Sequence, residues 1–169
     1  ADAVYLGFGN FNARKKASNF GEEVLGKWID FAHLYGVKVY VALNTLVKNS
    51  ELDEFSSAVE CAAKANADAF IVQSLGIVRL VKKIFPGAVL HASTQMGISN
   101  RYGAKLCLDE GISRIILSRE CSLKDIEDIR GNVDIELEAF VHGALCTSCS
   151  GACFMSSFLS CNSGNRGMC

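Results

Sequence analysis

The sequence lacks an excess of charge of either sign: 17 Lys and Arg against 18 Asp and Glu leave a formal net charge of −1. Overall charge therefore gives no footprint for nucleic acid, although a local basic patch is compatible with it. There is no apolar run of the roughly 18 residues that a membrane-spanning helix needs, and no leader pattern at the start. Also missing are an H-E-x-x-H helix, a G-x-S-x-G elbow and a phosphate-cradling P-loop. Their absence argues against the zinc-helix proteases, the α/β-hydrolases and the P-loop enzymes. An initiator Met is absent too, and the chain opens directly on the strand-like Ala3-Val4-Tyr5-Leu6, as expected of a piece cut from something longer. The remainder, 50% hydrophobic and 21% charged, is the composition of an ordinary globular chain with one sizeable core, and the expected location is cytoplasmic.

What is present in abundance is cysteine, eight in 169 residues. Nothing argues for secretion, and in a cytosolic chain clustered cysteines more often mean metal or redox chemistry than disulfides. Cys61, Cys107 and Cys121 are scattered through helix-like or connecting segments and read as packing residues. The other five run from Cys146 to Cys169 in the pattern C-x2-C-x3-C-x7-C-x7-C, among Ser, Gly and Asn. Thiolates at short spacing in such a loop can wrap a metal without strain, and soft sulfur selects zinc, copper(I) or iron–sulfur. A zinc site usually shows two compact pairs and this loop has a single x2 pair, but spacing alone leaves the metal open.

Strand-like and helix-like patterns alternate ahead of that cluster. β-Branched or aromatic runs lie at Ala3–Leu6, Val37–Leu43, Ala69–Gln73, Ala88–His91, Arg114–Leu117 and Asp134–Val141. Amphipathic stretches lie between them, at Glu22–Tyr35, Leu52–Ala65, Ile77–Ile84, Asn100–Glu110 and Leu123–Arg130. Gly36, Gly87, Gly111 and Gly131 follow the helix-like runs, where a left-handed residue is expected. Such alternation implies a parallel sheet with right-handed crossovers. Two architectures meet that description, an open doubly wound sheet and part of a (βα)8 barrel. The glycines after the first strand do not complete a dinucleotide fingerprint, since Asn12 stands where the third glycine belongs. Nearly every strand ends in hydrogen-bonding residues: Asn10 and Asn12, Asn44 and Thr45, Gln73 and Ser74, Ser93 to Gln95, Ser118 to Glu120, and His142. Convergence of strand C-termini on one site is the barrel arrangement. A complete barrel takes about 250 residues, so the expectation is a partial TIM-type barrel over residues 1–142, with 143–169 as a Cys-rich cofactor-binding loop of the same domain.

In the last strand Ile135, Leu137, Ala139 and Val141 share one face, and Glu136, Glu138, Phe140 and His142 the other. Carboxylates on a barrel interior are costly unless paired or hydrated, so Glu138 and His142 are candidate catalytic residues, alongside the alternative that this face is simply exposed.

Three stretches carry a family resemblance: Glu138-Ala-Phe-Val-His-Gly-Ala-Leu-Cys146, Ser150-Gly-Ala-Cys153 and Ser163-Gly-Asn-Arg-Gly-Met-Cys169. They resemble the signature of the collagenase-like peptidase family (peptidase family U32). Ala1-Asp-Ala-Val-Tyr-Leu-Gly7, Phe11-Asn-Ala-Arg14, His91-Ala-Ser-Thr-Gln95 and Leu117-Ser-Arg-Glu120 agree with it, so the resemblance covers essentially the whole chain. It implies the N-terminal barrel portion of a family member. Despite the family name, it also implies oxygen-independent hydroxylation of a tRNA uridine or a ribosomal RNA cytidine. The cofactor so implied is a 4Fe–4S cluster on four cysteines, with prephenate as hydroxyl donor. Phe31-Ala-His-Leu-Tyr-Gly36, Leu43-Asn-Thr45 and His91 to Gln95 are most similar to the ribosomal RNA cytidine branch.

Carried over by position, Cys146, Cys153 and Cys169 match cluster ligands, and the fourth family cysteine would lie beyond Cys169. Cys149 stands where relatives often have an aromatic residue and Cys161 where many have Gly; either is a substitute ligand or a bystander. Arg119 and Glu120 are expected to line the site, Arg119 as a further catalytic candidate, with Arg14, Asn44 and Gln95 at other strand ends binding substrate, and Arg166 contacting an anion or the cluster loop. Proteolysis and a zinc-stabilised, non-catalytic scaffold are the competing readings.

Overall fold

A computed structural model describes residues 1–143 and 146–169. Among these, six strands form one parallel sheet in sequential order: β1 (Ala3–Gly7), β2 (Lys38–Leu43), β3 (Ala69–Val72), β4 (Leu90–Ala92), β5 (Arg114–Ile116) and β6 (Glu136–Glu138). Five helices supply the crossovers: α1 (Glu22–Leu34), α2 (Leu52–Lys64), α3 (Leu75–Ile84), α4 (Arg101–Asp109) and α5 (Leu123–Asn132). A doubly wound sheet would put β1 in the middle. Here β1 is at an edge, and the sheet is a half-barrel, part of a (βα)8 fold.

Alternation along each strand makes two cores. Val39, Val41 and Leu43 of β2 lie in the large core shared with the helices, along with Phe70 and Val72 of β3 and Ile115 of β5. Tyr40 and Ala42 fall on the other face, in a small cluster with Ile71 and Ile116 that is the barrel interior. All four residues of β3 are buried, as expected of a parallel strand covered on both sides. The helices meet the sheet through apolar stripes of period 3.6, such as Phe55, Ala58, Val59 and Ala62 of α2. The starts of α3 and α4 are capped: the Ser74 hydroxyl accepts from the Ile77 amide at 3.4 Å, and Asn100 Oδ1 accepts from the Tyr102 and Gly103 amides at 3.1 and 3.0 Å.

Helix ends depart in part from expectation. Gly36 (φ 68°) and Gly111 (φ 72°) are left-handed, whereas Gly131 lies inside α5, whose last turn closes with the Val133 amide on the Ile129 carbonyl. Nor is Gly87 left-handed. Pro86, with no N–H to donate, stops α3 by holding Phe85 in extended backbone (φ −134°, ψ 90°). Asn66 (φ 60°) makes the left-handed turn after α2. β6 is shorter than the expected Asp134–Val141, because β5 offers only Arg114–Ile116 to pair with. Beyond Glu138 the chain leaves the sheet, and Val141 is 98% exposed.

Candidate functional site

The strand C-termini surround a cavity of about 540 Å3. Gly7, Asn12 and Arg14 line it from β1 and the following loop, Asn44 from the end of β2, Gln95 from β4, Arg119 from β5, and Glu138 from β6. Gly7 is required by close approach, since a β-carbon there would meet the Asn12 side chain at 2.8 Å. Asn44 ties three strand ends together: its Oδ1 accepts from the Ala13 amide and its Nδ2 donates to Ser93 Oγ, both at 3.0 Å. Ser93 Oγ in turn accepts from the Gln95 amide at 3.2 Å. The Gln95 Oε1 atom is shielded from solvent with no hydrogen-bond partner among the described residues.

Glu138 belongs to a charged network inside the barrel. Arg114 donates from Nε to Glu136 Oε2 at 2.9 Å, and from Nη1 to Glu138 Oε2 at 3.2 Å and the Tyr40 hydroxyl at 3.4 Å. The paired carboxylates of β6 thus have the cation they require, which also holds Glu136 below the ordinary carboxylate range. The Arg114 guanidinium lies 5.3 Å from the centre of the Tyr40 ring, and Tyr40 meets the His91 ring edge-on at 4.7 Å. His91 is only 3% exposed, with Nδ1 unpartnered. Burial, and then the positive charge of Arg114, push its pKa down to about 4. Arg114→Ala would leave two neighbouring carboxylates without their cation. The expected loss is about 1 kcal/mol, since both carboxylates are partly exposed, read from the urea midpoint of the full-length protein, with partial recovery in Arg114→Lys.

The Cys-rich segment docks on the same rim. Arg119 donates from Nη2 to the Ser148 carbonyl at 3.2 Å, and the Ser150 amide donates to Glu120 Oε1 at 2.6 Å. Gly151 (φ 73°) and Gly167 (φ 78°) sit so close to the Gln95 and Asn12 carbonyls that a β-carbon at either would collide. Arg166 does not line the cavity; its guanidinium grips Glu51, with Nη1 to Oε2 at 3.0 Å, and so fixes the loop to the segment after β2. Hydrogen bonds from Arg166, and then from the Lys48 amide, pull the Glu51 pKa down to about 2. A carboxylate lowered in this way stabilises the fold above its ordinary pKa of about 4.5, and that contribution fades as pH falls toward about 2. Glu51→Gln should therefore lower the thermal midpoint at neutral pH, and the difference from wild type should vanish on acidification through that window.

Cys153 and Cys169 are brought together around Gly164: a β-carbon there would lie 4.0 and 3.9 Å from theirs. The Ser148 hydroxyl and the Met155 and Ser156 amides, at the start of α6 (Met155–Ser160), hold the Cys153 thiol below the usual cysteine range. Cys146, Cys149 and Cys161 are exposed, and among the described residues no three His, Cys, Asp or Glu side chains gather as a metal site. Cys161 has φ 54°, a conformation that favours glycine, which accounts for the glycine that the family resemblance puts there. His142 is exposed and away from the cavity lining. Ala144 and Leu145, within the expected signature, lie outside the described residues.

Peptidase family U32 matches over residues 1–169. The chain belongs to that family. Over 169 residues it is 34% identical to the tRNA hydroxylation protein P1 of Bacillus subtilis, covering 100% of this chain and 40% of that protein. It is 40% identical over 169 residues to the 23S rRNA 5-hydroxycytidine synthase of Escherichia coli, covering 100% of this chain and 25% of the relative. The chain thus spans well under half the length of these family members. A solved U32 peptidase superposes with a TM-score of 0.64 at 14% identity, over 82% of this chain and 60% of that one, and shares the fold.

Sequence reasoning missed Arg114, Tyr40, Glu51 and Asn165. Arg114 was open to detection, as the one basic residue at the head of the strand beside the two carboxylates. The Glu51–Arg166 pair, 115 residues apart, left no local signal.

Proposed function

We propose that the full-length protein is an RNA hydroxylase that modifies a pyrimidine, cytidine in ribosomal RNA or uridine in tRNA, in the cytoplasm. Identity of 34% and 40%, over the full 169 residues, to relatives named for hydroxylation of tRNA and of 23S rRNA carries this reading. A 4Fe–4S cluster is its cofactor, and Cys146, Cys153 and Cys169 are its ligands in this chain. The donor set suits it: all are free thiols, Cys153 and Cys169 already flank one glycine, and Cys153 is predisposed to ionise. When bound, such a cluster would supply one-electron redox chemistry.

The remaining parts fall to the chain's own side chains. Arg14, after β1, and Arg119, after β5, both line the cavity and offer guanidinium groups to the two carboxylates of a prephenate-like hydroxyl donor. One arm of Arg119 is committed to Ser148, which keeps the donor site next to the cysteine loop. Tyr5 and Phe140, 52% and 59% exposed at the cavity, give a base two aromatic faces to stack on. Arg114 holds the Glu138 side chain at the cavity wall. Proteolysis is disfavoured because, among the described residues, no Ser or Cys is hydrogen-bonded to a histidine.

The test uses anaerobically purified full-length protein, analysed for iron and sulfide, then incubated with prephenate and RNA from cells lacking the gene. Iron, sulfide and a new hydroxylated pyrimidine nucleoside by mass spectrometry are the expected results. Stoichiometric zinc with cleavage of gelatin, abolished by Cys146→Ser, would replace this reading with the peptidase one.

A further inference from the structure

The segment Gly164-Asn165-Arg166-Gly167 holds one side chain that no part of the proposed chemistry uses. Asn165 is 9% exposed, and its amide makes a reciprocal pair with the backbone of a single residue, Cys153. The Cys153 amide donates to Asn165 Oδ1 and Asn165 Nδ2 donates to the Cys153 carbonyl, both at 3.1 Å. A side-chain amide that satisfies both polar groups of one peptide residue acts as a short piece of neighbouring strand, and it fixes φ and ψ there. Asn165 is itself held from both sides. Gly164 is the glycine that β-carbons of Cys153 and Cys169 flank, and the Arg166 guanidinium is locked on Glu51. The turn closes on itself through the Gly167 amide to the Gly164 carbonyl and the Met168 amide to the Ser163 carbonyl, at 3.1 and 3.0 Å. Gly167 then packs on the Asn12 backbone at the cavity rim.

We infer that Asn165 is a positioning residue that sets the direction of the Cys153 thiolate toward the iron–sulfur site shared with Cys169. Cys153 is 12 residues away in the chain, on a loop with no strand partner, and without the clamp its backbone is free to turn the sulfur away. Backbone orientation of a ligand matters more for a cluster than for the fold, because the ligand must meet a rigid core within tenths of an ångström.

This inference rests on the cluster reading above. Its test compares anaerobically reconstituted full-length wild type with Asn165→Ala, Asn165→Asp and Ile29→Val, the last a core change remote from the loop that controls for lost stability. The readouts are iron per chain, visible circular dichroism of the cluster, and the rate of iron loss to a chelator. Asn165→Ala should lose iron about tenfold faster, with altered dichroism, while Ile29→Val matches wild type. Asn165→Asp, isosteric and keeping the acceptor for the Cys153 amide, should fall between, and it decides the question alone if the alanine variant does not fold. Asn165 variants with wild-type iron loss and dichroism would overturn this inference and leave the cluster reading standing. A wild type that takes up no iron would overturn both.

Discussion

In the iron–sulfur RNA hydroxylase proposed above, replacing Cys153 with serine should abolish the iron–sulfur absorption and cut RNA hydroxylation at least about a hundredfold. The effect is expected to be large because serine keeps the size and the hydrogen-bonding capacity but not the soft, readily ionised sulfur. Its hydroxyl stays protonated in the setting where the Ser148 hydroxyl and two backbone amides favour a Cys153 thiolate. Cys169→Ser should act similarly, since Cys169 shares the glycine-centred niche. By contrast, Cys107→Ser removes a buried thiol that packs against Met96 and should affect stability alone. Iron per chain, measured beside the thermal midpoint, separates the two kinds of cysteine. Equal iron in wild type and Cys153→Ser would remove Cys153 from the ligand set.

The second large effect concerns pH. His91 is buried and neutral, with its pKa lowered to about 4 from an ordinary value of 6.5. The unfolded chain therefore takes up a proton that the folded chain refuses. Stability that is complete above about pH 6.5 is lost progressively as pH falls toward about 4, by roughly 3 kcal/mol across the window. Below that, His91 itself is protonated in the fold and this contribution stops changing. The Tyr40–Arg114–Glu138 network lies directly against it, so the cavity wall should loosen over the same range. His91→Phe, which keeps a ring beside Tyr40 and cannot titrate, should flatten the pH dependence between pH 6.5 and 4 in chemical unfolding. An unchanged slope in that variant would assign it to another group.

The architecture was open to reading from sequence because its signals are local and repeated. Each strand is a short β-branched run, each crossover an amphipathic stretch, and the polar ends at Asn44, Gln95 and Arg119 do converge on one cavity. Helix ends were less secure, since a glycine such as Gly131 can continue a helix and a proline such as Pro86 can end one. At the candidate site, residue types were legible but partners were not. Arg166 reads equally well as an anion contact or as a strut, and only the fold brings it to Glu51. Glu138 stood out as a carboxylate on the barrel-interior face that needs pairing or hydration, yet its cation comes from sheet register, which sets Arg114 opposite Glu136 and within reach of Glu138, and not from sequence spacing. His142 and the glycine after it follow the end of β6 and are exposed, away from the cavity lining.

The central claim is that this family member modifies RNA and does not cut peptides. Its most direct test is mass spectrometry of ribosomal and transfer RNA nucleosides from cells lacking the full-length gene, with wild type or Cys153→Ser restored on a plasmid. The account predicts that one hydroxylated pyrimidine nucleoside disappears on deletion, returns with the wild-type gene and stays absent with Cys153→Ser. A nucleoside profile unchanged by the deletion would contradict it.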